Sequence, residues 1–151
     1  MRKVSLEAAL DLYDLRASIA RTAGRLAASR LENEEETQLL TLMEQMEVAL
    51  RARDGGTYHK LNKTFHDHLM AITKNSRLID LNNTIEAELS LYLRKGVYTM
   101  AQMQQSHAEH DRLVGALRNG QVAETAELFE SHILTGKQRM LDTVTRSVPA
   151  A

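Results

Sequence analysis

A chain of 151 residues, 43% apolar and 26% charged, is long enough for one domain with its own core and too short for two ordinary ones. It has no cysteine, which excludes disulfides, thiolate metal sites and cysteine nucleophiles. Its formal net charge of −1, with acids and bases interleaved, argues against a nucleic-acid-binding domain. The start, Met1-Arg2-Lys3-Val4, leads into an amphipathic stretch without a signal-peptide apolar run, and no apolar run nears the roughly 20 residues of a membrane span. A cytoplasmic protein that avoids membranes is expected.

Helix formers dominate, alternating β-branched runs are missing and proline occurs once, at Pro149. Six helices are expected. The first runs from about Ser5 to Arg30 with the apolar stripe Leu6, Leu10, Tyr13, Ile19, Leu26. The second starts at Asn33-Glu34-Glu35-Glu36, a capping-box-like sequence that also sets carboxylates at the positive helix end. Its stripe is Leu39, Leu42, Met46, Leu50. Asp54-Gly55-Gly56 reads as a break before a third helix, about Thr57 to Thr73. Asn75-Ser76 caps a fourth, with the stripe Leu78, Leu81, Ile85, Leu89, Leu93, and Gly96 marks its end. A fifth runs from about Met100 to Arg118 and stops at Asn119-Gly120; a sixth runs from about Val122 to Val144, with Ser147 to Ala151 fraying. Short loops imply an antiparallel all-α bundle, its helical core spanning about residues 5–145 of a single domain.

The chemistry of interest lies in six histidines. Asn62 and His66 are four apart on the third helix, so they share a face, and they border the stripe Leu61, Phe65, Leu69, Ile72. His110 borders Leu113, Val114 and Leu117 on the fifth helix; His132 stands beside Phe129 and Ile133 on the sixth. Three helices thus each carry an imidazole next to an inward stripe, and a bundle interior is where such groups can meet around a divalent metal. An ordinary packed histidine explains each one singly. His59 shares the Asn62–His66 face and is a substitute ligand or a neighbour that orients one; His68 and His107 read as surface residues.

Four segments, in order, resemble the FCD domain (the FadR C-terminal domain) of GntR-type bacterial transcription regulators. They are Leu12-Tyr13-Asp14-Leu15-Arg16 with the Ala-rich stretch Ala23 to Ala28, Tyr58 to His66, Asn75-Ser76-Arg77-Leu78, and Glu109 to Gly120. His132 follows twelve residues after Gly120, as in the family pattern. The resemblance covers nearly the whole chain. It implies an antiparallel helical bundle around a ligand cavity, with a divalent metal bound by one Asp or Asn and three His. Carried over, those ligands are Asn62, His66, His110 and His132. Zinc is the first expectation, with nickel or manganese as alternatives. Asn62 stands where many members have Asp, and a neutral amide leaves more positive charge on the site. Ala20 stands where the family often has Glu.

The expected function is sensing: a small carboxylate metabolite fills open metal positions, and Arg16 pairs with its carboxylate, because guanidinium binds carboxylates bidentately. Arg94, late in the fourth helix, is a second candidate, and a salt bridge is the plain alternative for both. Binding would shift the bundle and respace two DNA-reading domains of a homodimer. Only about four residues precede the first helix, so no winged helix-turn-helix is expected here and DNA contact would come through a domain outside this chain. Two rivals stand beside this. A metalloenzyme would use metal-activated water, but Glu109, adjacent to His110, points about 100° away from it and supplies no base. The other is a structural dimerisation bundle.

Overall fold

The computed structural model describes residues 5–93 and 98–146. Among them are six helices and no strand: α1 Leu6–Arg30, α2 Asn33–Arg51, α3 Gly55–Ile72, α4 Ser76–Tyr92, α5 Met100–Arg118 and α6 Val122–Arg146. This is the expected all-α architecture with its six elements. Gly96 and the segment Ser147 to Ala151 lie outside the described residues. No described helix is long and apolar enough to cross a membrane.

The helix starts follow local chemistry. Ser5 Oγ accepts from the Ala8 amide at 3.1 Å, and Asn75 Oδ1 from the Leu78 amide at 3.1 Å. In α2 the cap is Glu32, one residue before the expected start, and its amide donates to Glu35 Oε2 at 2.9 Å. Thr99 and Gln102 form a reciprocal capping box on α5, at 3.2 and 2.9 Å. The Asp54-Gly55-Gly56 segment differs from expectation. Asp54 is a helix cap, bonded to the Thr57 amide at 3.0 Å, and both glycines belong to the first turn of α3. First-turn amides need no intrahelical partner, so a strong cap overrides the glycine signal. At the other ends, α2, α3 and α5 are followed by residues in the left-handed region: Arg53 (φ 55°), Lys74 (φ 51°) and Gly120 (φ 66°). Only the last is the glycine this conformation favours.

The longest contact surface pairs α1 with α6, far apart in sequence. The buried face of α1 is Ala9, Tyr13, Ala17, Ile19, Ala20, Ala23, Gly24 and Ala27; Leu6, assigned to the stripe, is 37% exposed. Small residues let the two backbones approach. A Cβ on Gly24 would sit 2.7 Å from the Thr125 carbonyl oxygen and 2.9 Å from Ala126 Cα, both backbone atoms that cannot swing aside. Gly24→Val should therefore cost about 1–3 kcal/mol. Gly115→Ala should gain about 0.5–1 kcal/mol, since a Cβ there meets nothing within 4 Å and alanine is the better helix former. Thermal melts of the two variants check the contrast. Equal melting temperatures would contradict it.

The centre is filled by Phe65, Leu39, Met46, Leu69, Ile72, Leu113, Leu117 and Met140. The fourth helix packs Leu78, Ile85, Leu89 and Leu93 inward as expected, but Leu81 is 52% exposed and its neighbour Asn82 is buried. This polar inward residue lies beside the site.

Candidate metal centre

His66 on α3, His110 on α5 and His132 on α6 converge. Each is carried inward by apolar neighbours on its own helix: Phe65 and Leu69 on α3, Leu113 and Leu117 on α5, Phe129 and Ile133 on α6. All three are buried, His110 completely. His132 Nε2 lies 3.1 Å from His110 Nε2 and 3.2 Å from His66 Nε2, and the ligand atoms of the three all fall within 4.8 Å of one another. The His66 and His132 rings stack at 12° between planes, while Phe65 lies against His110 at 4.5 Å between ring centres.

The rings are oriented by a chain of charged groups. His132 Nδ1 is 2.6 Å from Glu109 Oε2, and Arg139 binds both Glu109 oxygens, Nη1 to Oε1 at 2.9 Å and Nη2 to Oε2 at 2.8 Å. Burial works to raise the Glu109 carboxyl, but the hydrogen bonds from Arg139 and His132 outweigh it and hold it at about 2. An ionised Glu109 accepts the Nδ1 proton of His132, which turns the Nε2 lone pair toward the cluster. Burial, with added repulsion from His132, keeps His66 and His110 well below the usual histidine range; burial also lowers His132, against the pull of Glu109.

This arrangement suits a cation. Three imidazoles held neutral by burial direct Nε2 atoms at one point. Hydrogen bonds alone leave it unsatisfied, because the one lone pair of His132 Nε2 cannot serve two N–H donors well. Two nitrogens about 2.0–2.1 Å from a zinc ion at the tetrahedral angle lie about 3.3 Å apart, close to the 3.1 and 3.2 Å from His132 Nε2 to its two neighbours. The neutral nitrogen donors also match the ligand chemistry of zinc or nickel. Asn62, one turn before His66, has its Oδ1 buried without a hydrogen-bond partner among the described residues.

The other candidate residues fall elsewhere. Arg16 Nη2 binds Glu86 Oε1 of α4 at 2.7 Å, beside a cavity of about 10 Å³ that is also lined by His66 and Asn82. His59 is exposed on α3, outside the three-histidine cluster. Arg94 lies outside the described residues. His107, expected at the surface, is instead 6% exposed: its Nε2 lies 3.2 Å from Glu47 Oε2, and its ring lies 6.3 Å from that of His110. The three-residue spacing from His110 places both on one face of α5, a signal available in the sequence. His68 is half-buried, with Nε2 3.1 Å from the Glu35 carbonyl oxygen. Glu109 and Arg139 were not legible beforehand. The offset that turns Glu109 away from His110 is what lets it reach His132 on α6, and a single helix cannot reveal that partner.

The FCD domain family matches residues 11–135, and the chain belongs to it. No curated protein matches in sequence. Among solved structures, E. coli McbR/YncC is similar in fold, with a TM-score of 0.84 at 13% identity over 94% of this chain and 72% of that one.

Proposed function

We propose that the chain is the effector-sensing domain of a GntR-type transcription regulator, with a divalent metal, zinc first, held by His66, His110 and His132 and by Asn62 Oδ1. The observation that carries this reading is the convergence of three buried imidazoles, each with a ligand nitrogen within 4.8 Å of the others, one of them oriented by a carboxylate. The unpartnered Asn62 oxygen supports it as the fourth donor. When bound, the metal supplies a Lewis-acidic centre with open positions for an oxygen ligand. A small carboxylate metabolite is the matching effector, and Arg16, on the cavity that His66 lines, is its counter-charge. Its binding shifts the packing of a homodimer and, through winged-helix domains, the reading of DNA.

Both Glu109 oxygens are engaged by Arg139 and His132, which suits a carboxylate that positions a ligand better than one that takes a proton from water. That favours sensing over hydrolysis. Elemental analysis of purified protein tests the site. Wild type should carry about one equivalent of metal per chain, and His110→Ala and His132→Ala almost none. Unchanged metal content in both variants would remove the assignment.

A further inference from the structure

The cavity beside His66 holds about 10 Å³, room for about one water and no metabolite. What fills the space is an ion pair from two helices. Arg16 of α1 meets Glu86 of α4 by one contact, Nη2 to Oε1 at 2.7 Å. The pairing is one-pronged: among the described residues Arg16 Nε is buried without an acceptor, and Glu86 Oε2 is buried with only Lys63 Nζ of α3 at 3.4 Å, short of a proper hydrogen bond. Both side chains are mostly enclosed, at 18% and 15% exposure. A bidentate carboxylate on Arg16 would take two parallel N–H bonds from one guanidinium edge, where Glu86 takes only the one from Nη2.

On the outer side of Glu86 runs a groove between α3 and α4 of about 460 Å³. Glu86 and Met70 line both spaces, so they form the wall between them. The groove mixes apolar Ile79 and Ala87 with polar Asn83 and Ser90 and with Lys63, whose ammonium is held by Asp67 at 2.6 Å, so it offers an acid room for its body and leaves the counter-charge to Arg16. The helix that carries the wall is lightly held: α4 packs on α1 and, less extensively, on α3. Glu86 bridges those same two neighbours through Arg16 and Lys63.

We propose that Glu86 is an internal stand-in for the effector carboxylate, and that its displacement from Arg16 opens the inner cavity into the α3–α4 groove to form one effector site. The inference rests on the acid-sensing reading above and adds the competitor, the outer half of the site and the moving element. It makes Glu86 an affinity setter, because an acid binds only the fraction of molecules in which Arg16 is free.

Glu86→Gln keeps the size and removes the charge. Acetate and succinate are titrated into zinc-loaded wild type and variant, and amide exchange is followed across Ser76–Tyr92. If Arg16 is free about a tenth of the time in wild type, the variant should bind the acids about 10-fold more tightly. Amides of α4 should also exchange faster in the variant without any acid. Equal affinity in the two proteins overturns the stand-in role while leaving acid sensing intact. If neither protein binds either acid although zinc is bound, acid sensing falls. The stand-in role falls with it, and the exchange measurement then decides only whether the Arg16–Glu86 pair holds α4 in place: faster exchange in the variant supports that hold, and identical exchange overturns it.

Discussion

Zinc at about 1,000 times its dissociation constant is expected to stabilise the wild-type protein by about 4 kcal/mol, which for a chain of 151 residues is a rise in melting temperature of about 8–16 °C. The size follows from linkage. The three imidazoles come from α3, α5 and α6, so their convergence exists only in the folded chain. They are also held neutral there, so binding displaces few protons. His110→Ala changes the fold's own stability as well, since His110 is fully buried against Phe65. The decisive quantity is therefore the zinc-dependent increment within each protein. It should vanish in His110→Ala and shrink in Asn62→Leu. A full increment in His110→Ala would place the metal elsewhere.

Arg139→Ala should be the most damaging change outside the ligands, at about 3–5 kcal/mol. It removes both guanidinium bonds from Glu109 and leaves an ionised carboxylate enclosed with His132 as its remaining partner. The penalty comes from the abandoned charge more than from the lost contact, which a double-mutant cycle can separate. Glu109→Gln with Arg139→Met should be more stable than Arg139→Ala alone, since no unpaired charge is left. The double variant should still bind zinc about 10–100-fold more weakly than wild type, because a neutral amide orients His132 less firmly than a carboxylate. Chemical denaturation gives the first comparison, and competition with a chelator gives the second. If Arg139→Ala costs under about 1 kcal/mol, Glu109 is solvated well enough not to need it.

Much of the fold could be read from local signals. The Ser5 and Asn75 caps, the Asn119-Gly120 stop and the 3.6-residue stripes act within one or two turns, and they delimit helices wherever those helices pack. The glycines after Asp54 misled because two local signals compete there, and the Asp54 side chain wins by taking up a first-turn amide. On α4 one position of the stripe, Leu81, misled for another reason. Leu78, Leu81, Ile85 and Leu89 form an acceptable stripe, but where α4 packs on α1 and α3 Asn82 is buried in place of Leu81.

The candidate metal centre divides in the same way. Asn62, His66, His110 and His132 were nameable because spacing on a single helix and ordered motifs mark each as facing inward. Arg16 could be singled out too, though its partner could not. Glu86 meets it across 70 residues of chain, and Glu109 meets His132 and Arg139 across 23 and 30. What the sequence determined by itself was the set of helices, the inward direction of His66, His110 and His132, and the family. What only the tertiary structure decided was which inward groups meet. Helical periodicity specifies a direction around one axis, while a contact between helices also needs their relative rotation, shift and separation. Here those depend on side chains such as Gly24 and Asn82, whose effect appears only once the helices touch.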